Sequence, residues 1–222
     1  MDYLFDTVLF DFDGTLADTG KGIGKCVDYA ADYFGIPRLA DDERRAFVGP
    51  PLYESFGKYF HLEKKEAIMT AIDKYRECYV KGAMYDLEFY GGIEVLLKEL
   101  KEKGFKTGVA SSKPAHFVRS ILTKHNLISL FDIISCPEDD KIKKTKFELI
   151  SEAVEKLNSV KSKTVMIGDR HFDIDGAKAA GVKSIGVLYG YGSSEELTTA
   201  GADYIAPSVS GVRSIVFSRE CK

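Results

Sequence analysis

The sequence predicts an α/β fold: a doubly wound parallel sheet carrying an inserted block of helices. Three observations lead there. Short apolar runs, each stopped abruptly by polar residues or glycine, recur along the chain as buried parallel strands do. Segments with apolar residues at helical spacing separate most of these runs, giving the strand–helix alternation of a parallel sheet. One stretch, residues 17–87, breaks the alternation and keeps helical periodicity without a convincing strand.

The first strand is Val8-Leu9-Phe10, ended by Asp11-Phe12-Asp13-Gly14-Thr15. Within 17–87, Cys26, Ala30, Tyr33 and Phe34 form one helical face, and Ile68, Ala71, Ile72, Tyr75 and Tyr79 form another. Asp41, Gly49-Pro50-Pro51 and His61 read as punctuation between short helices. Gly20-Lys21-Gly22-Ile23-Gly24-Lys25 fits neither G-x-x-x-x-G-K-[ST] nor G-x-G-x-x-G, and is expected to be a flexible entrance where glycines permit hinge motion.

Past the block, Ile93, Leu96, Leu97 and Leu100 mark a helix closed near Gly104. Thr107-Gly108-Val109-Ala110 is the second strand. Pro114 is expected in the first turn of the next helix, whose apolar face is Phe117, Val118, Ile121 and Leu122. Asp132-Ile133-Ile134 is a third strand, followed by a helix with Phe147, Ile150, Ala153 and Val154. Thr164-Val165-Met166-Ile167 precedes a helix through Ile174, Ala177 and Ala180 that stops at Gly181. Ser184-Ile185-Gly186-Val187-Leu188 is a fifth strand and Tyr204-Ile205 a weaker sixth. The division is thus a core of residues 1–16 and 88–222 with a helical insert of 17–87. That organisation suits 222 residues, about one and a half domains at roughly 150 residues each.

Composition excludes several classes of function. Hydrophobic residues are 45% and charged residues 29%, ordinary for a globular protein. With 31 Lys plus Arg against 34 Asp plus Glu, a net charge of -3 gives no basic footprint for a nucleic-acid polymer. No apolar run approaches the roughly 20 residues of a membrane span, and Met1-Asp2-Tyr3 does not begin a signal peptide. Cys26, Cys78, Cys136 and Cys221 form no C-x-x-C pair and read as reduced packing thiols, so a cytoplasmic location is expected. Nothing marks an oligomeric interface.

In an open parallel sheet, ligands bind beyond the carboxyl ends of the strands. Those ends carry Asp11 and Asp13; Ser111-Ser112-Lys113; lysines from 141 to 146; and Gly168-Asp169 with Asp173 four residues on. A single aspartate at a strand end serves equally as a turn or cap residue, Ser111 equally as an N-cap, and a single lysine as a solvated one. Two carboxylates directly after a buried strand are harder to explain that way. Carboxylates gathered together repel unless a cation sits among them, and an all-oxygen cluster suits Mg²⁺.

Together these residues resemble the haloacid dehalogenase superfamily of phosphatases. Residues 8–16, Val8 through Asp11-Phe12-Asp13-Gly14-Thr15-Leu16, look like its first motif, Ser111 its second, Lys146 its third and Gly168-Asp169-Arg170-His171-Phe172-Asp173 its fourth. The insert resembles the family's helical cap, and the resemblance implies the family's core. Phe47-Val48-Gly49-Pro50-Pro51-Leu52 and Tyr189-Gly190-Tyr191-Gly192 are similar to phosphoglycolate-phosphatase-like proteins and to a 5'-nucleotidase-like subgroup. By resemblance, Asp11 is the nucleophile that forms an aspartyl-phosphate and Asp13 the general acid–base. Ser111 and Lys146 are catalytic partners of the phosphoryl group, and Gly14, Thr15, Ser112 and Lys113 contact phosphate or substrate. Mg²⁺ is implied on Asp11, the carbonyl of Asp13, and Asp169, with Asp173 in support. Lys146 is followed by Phe147 where many relatives have proline, so Lys141, Lys143 and Lys144 remain alternatives. Lys21, Arg45, Tyr53 and Lys113 are candidates for contacting the leaving group of a small phosphorylated metabolite. The aspartate at position 13 argues against dehalogenation. A phosphomutase, a 5'-nucleotidase and a non-catalytic phosphate-binding module stay open.

Overall fold

The computed structural model describes residues 3–138 and 144–219; Lys141, Lys143 and Cys221 lie outside the described residues. Among the described residues the strands are β1 (Thr7–Phe10), β2 (Ala17–Asp18), β3 (Glu88–Phe89), β4 (Lys106–Ala110), β5 (Ile133–Ser135), β6 (Thr164–Gly168), β7 (Lys183–Val187) and β8 (Tyr204–Ala206). The helices are α1 (Gly20–Phe34), α2 (Asp41–Arg45), α3 (Leu52–Tyr59), α4 (Lys65–Val80), α5 (Ile93–Glu102), α6 (Ala115–Lys124), α7 (Lys146–Lys156), α8 (His171–Ala180), α9 (Ser194–Ala200) and α10 (Val209–Val216). They fall into two compact units, Met1–Ala17 with Phe89–Lys222, and Asp18–Glu88.

The first unit is a six-stranded sheet in the order β5-β4-β1-β6-β7-β8, parallel throughout. Every residue of β1 is buried, which is why its sequence is a plain apolar run with no alternation. Phe10 is in register with Val109 of β4 on one side and Ile167 of β6 on the other. Leu9, Ala110 and Met166, from these three neighbouring strands, pack against Leu149, Ile150, Ala153 and Val154 of α7 and Ala177 and Ala180 of α8. The chain winds outward from β1 to β5 on one side and then crosses to β6, so the reversal of strand order falls at β1. Ligands of such sheets bind at that reversal.

Helix ends follow local chemistry. Thr145 caps α7: its hydroxyl accepts the Glu148 N–H, and the Glu148 carboxylate accepts the Thr145 N–H at 2.7 Å. Gly181 closes α8 in the left-handed conformation, as the sequence predicts. Pro114 precedes α6 at the N-cap rather than in its first turn. Ser111 is therefore not that helix's cap; its hydroxyl accepts the Lys113 N–H.

In the second unit Ile68, Ala71, Ile72, Tyr75 and Tyr79 are all buried on α4, the face their spacing predicts. On α1 the buried stripe runs through Ile23, Cys26, Val27, Ala30 and Ala31, and Tyr33 lies off it, 58% exposed with Lys74 over its ring. The expectation of a flexible hinge at 20–25 is overturned, because all six residues lie in the first two turns of α1. Gly22 and Gly24 are buried there, and a Cβ on Gly22 would sit 2.2 Å from the Ala83 carbonyl oxygen. At Gly22 the missing side chain permits close backbone approach.

Candidate active site

Three central strands, β4, β1 and β6, end side by side, and their next residues are Ser111, Asp11 and Asp169. The Asp11 N–H still donates to the Ile167 carbonyl at 2.9 Å, so the last bond of the ladder fixes its backbone. Lys146, first residue of α7, crosses to this point with its side chain only 8% exposed. Its ammonium donates to Asp11 Oδ1 at 2.9 Å and to the Ala110 carbonyl at 3.1 Å, and lies 2.8 Å from Asp173 Oδ1. Lys144 instead pairs with Glu152 at 2.5 Å. Burial opposes the charge on Lys146, but Asp11 and Asp173 outweigh it and raise its pKa.

Asp11, Asp169 and Asp173 are all buried, and each offers a carboxylate oxygen within 4.8 Å of the others. Asp169 accepts from Thr15 Oγ1 at 3.3 Å and from the Tyr191 N–H at 2.8 Å. Asp173 accepts the Arg170 N–H at 3.1 Å, capping α8 while it faces Lys146. Burial, then the charges of Asp173 and Asp11, pushes the Asp169 carboxyl up to about 8. Burial likewise carries Asp173 to about 6 against the pull of Lys146. Three carboxylates balanced by one lysine is an acidic excess. With hard oxygen donors only, the residues fit a small divalent cation such as Mg²⁺.

Gly14 lies at φ +83°, and a Cβ there would fall 2.2 Å from Asp169 Oδ2. Only glycine lets the turn after β1 pass so close to the cluster. The Thr15 hydroxyl, expected at the phosphate, is directed onto Asp169. The Asp13 carboxylate stands apart from the three: Lys113, 9% exposed, donates to its two oxygens at 2.9 and 3.3 Å. Ser111 is buried at the end of β4, whereas Ser112 is exposed. Lys21, Arg45 and Tyr53 are exposed residues of the other unit.

Two groups at the site were not anticipated. The Tyr191 amide holds Asp169, and the pattern Tyr189-Gly190-Tyr191-Gly192 is its trace in the sequence: a Cβ on Gly190 would meet Asp169 at 2.4 Å. Glu196, from α9, accepts from the His171 N–H at 2.9 Å and from Arg170 Nε at 2.9 Å, and contacts His171 Nδ1 at 2.8 Å, so it steadies the segment after Asp169. No spacing signals that role.

The model of the haloacid dehalogenase-like hydrolases matches residues 8–187, from β1 through β7. The chain belongs to that family. A 5'-nucleotidase of Pseudomonas aeruginosa is 34% identical over 216 residues, covering 96% of each chain. Tyrosine-protein kinase PtkA of Mycobacterium tuberculosis is 31% identical over 188 residues, 85% of this chain but 64% of the kinase. A crystal structure of a predicted phosphatase from Clostridium acetobutylicum superposes with a TM-score of 0.88 at 42% identity, covering 95% of this chain and 97% of that one. Further relatives carry the names pyrophosphatase and phosphoglycolate phosphatase. Together the family and these relatives support a phosphoric monoester hydrolase. Among the described residues no helix is long and apolar enough to cross a membrane.

Proposed function

We propose that this chain hydrolyses small phosphomonoesters through an aspartyl-phosphate formed on Asp11, with Mg²⁺ as its cofactor. The observation that carries this reading is the Asp11 carboxylate itself: one oxygen is bonded to Lys146, beside two further buried carboxylates at the strand-order reversal. Lys146 orients the Asp11 carboxylate through its bond to Oδ1, and that carboxylate attacks phosphorus as the alcohol leaves. Asp13, steered by Lys113, gives a proton to the departing oxygen and later takes one from the water that cleaves the acyl phosphate. The Ser111 hydroxyl and backbone N–H groups near Gly14 and Ser112 hold phosphoryl oxygens. Asp11, the backbone carbonyl of Asp13 and Asp169, with Asp173 in support, would hold Mg²⁺, which would supply positive charge to neutralise the phosphoryl group.

The helical unit Asp18–Glu88 acts in this reading as a cap that chooses the leaving group. Full-length similarity to a 5'-nucleotidase favours a nucleoside monophosphate. Phosphoglycolate is the second reading, resting on a relative of that name at 26% identity.

Release of phosphate from p-nitrophenyl phosphate tests the chemistry, with and without Mg²⁺, for the wild type and Asp11→Asn. Equal activity in the two proteins would exclude the covalent route, and turnover only with a sugar phosphate and its bisphosphate would indicate a mutase. A panel of nucleoside monophosphates, sugar phosphates and phosphoglycolate then ranks substrates by kcat/KM.

A further inference from the structure

One stretch of chain, the connection after β7 with the start of α9, lies against the residues that follow β6. A Cβ on Gly192 would fall 1.9 Å from the Asp169 carbonyl oxygen and 3.4 Å from Arg170 Cδ. From this stretch the Tyr191 N–H reaches Asp169 Oδ2, and a single oxygen, Glu196 Oε1, meets the His171 N–H, Arg170 Nε and His171 Nδ1. Arg170 in turn donates its N–H to Asp173 Oδ2. Glu196 therefore grips the two residues that lead from Asp169 toward Asp173 along the chain. It is itself anchored. The Ser193 hydroxyl accepts the Glu196 N–H at 3.0 Å, and the next residue, Leu197, is fully buried against Gly186 of β7.

We propose that Glu196 is a positioning residue for the cation: by holding Arg170 and His171 it fixes the Asp169 and Asp173 carboxylates relative to each other, and so sets the affinity of the site for Mg²⁺. The inference rests on the Mg²⁺ reading above and adds to it a residue of α9 that contributes no ligand. Mg²⁺ demands near-ideal octahedral geometry, so a small drift of its carboxylates weakens binding. Groups that orient metal ligands typically govern affinity by about 10–100-fold. A role confined to the first turn of α8 has a different consequence, a less stable helix end with unchanged Mg²⁺ affinity.

The test titrates Mg²⁺ into the full chain by calorimetry, for wild type, Glu196→Ala and Glu196→Gln. Glu196→Ala should raise the Mg²⁺ dissociation constant at least roughly tenfold. Glu196→Gln keeps an acceptor oxygen for Arg170 and His171 and should recover most of that loss. In EDTA, amide hydrogen exchange of the 169–173 segment should be at least roughly tenfold faster in Glu196→Ala than in wild type. If Glu196→Ala fails to fold, Glu196→Asp, whose oxygens are drawn back by one methylene, carries the same expectations. Equal dissociation constants in wild type and Glu196→Ala would overturn the proposal and leave the Mg²⁺ reading standing. A Glu196→Gln as weak as Glu196→Ala would also overturn it, since charge rather than position would then be the cause. So would unchanged exchange beside weakened Mg²⁺ binding. A wild type that binds no Mg²⁺ would overturn both the proposal and the reading beneath it.

Discussion

The acidic excess around Asp169 makes a measurable demand on folding, and removal of divalent cations exposes it. In the folded, metal-free protein the Asp169 carboxyl titrates near 8, against an ordinary 3.8. Between those values the folded state keeps a proton that the unfolded chain has released, so stability falls as pH rises. The slope approaches about 1.4 kcal/mol per pH unit, and from pH 5 to 7.5 the loss is roughly 3 kcal/mol. Asp173, raised to about 6, steepens the lower part of that window. Carboxyls with depressed pKa values, such as Asp132, Asp203 and Glu99, act in the opposite sense but only at lower pH. Urea unfolding in EDTA across pH 5–7.5, repeated with excess Mg²⁺, isolates the effect. The midpoint in EDTA should fall by about 1 M or more over the interval, and Mg²⁺ should largely flatten the curve. Asp169→Asn should flatten it without metal. A level EDTA curve, or an undiminished slope in Asp169→Asn, would refute the reasoning.

Other outcomes follow from the same contacts. Lys146→Met leaves Asp11 and Asp173 buried without their cation, and should lower unfolding free energy in EDTA by about 3–5 kcal/mol, read by urea titration. Mg²⁺ should recover part of that loss. Asp13→Asn should cut turnover of p-nitrophenyl phosphate at least roughly a hundredfold; a loss of only a few-fold removes Asp13 from the acid–base role. Gly22→Ala drives a methyl group into the Ala83 carbonyl and should lower the thermal midpoint, at a cost of about 1–3 kcal/mol.

The fold was readable because burial on both faces writes parallel strands as unbroken apolar runs. Val8-Leu9-Phe10 and Val165-Met166-Ile167 could have little other reason to sit beside so many polar residues. Strand ends then pointed to Asp11, Ser111 and Asp169, since in a parallel sheet position along the strand fixes position in the site. Side-chain direction was less accessible. Lys113 and Asp13 are distant in sequence, and only the folded turn brings them to 2.9 Å. The glycines at 20–25 misled for a related reason: sequence registers the missing side chain but not whether solvent or a carbonyl fills the space. Glu196 left no trace, because it touches the site only through Arg170 and His171.

Strand order also shapes how the chain is assembled during synthesis. The strand β1 is made before any of its neighbours, yet it lies between β4 and β6. The whole of Asp18–Glu88 is translated before either partner exists. The helical unit therefore leaves the ribosome complete while the apolar strand made before it still waits unpaired. The nascent protein consequently carries the apolar strand β1 unpaired through the whole of that stretch, a state open to aggregation.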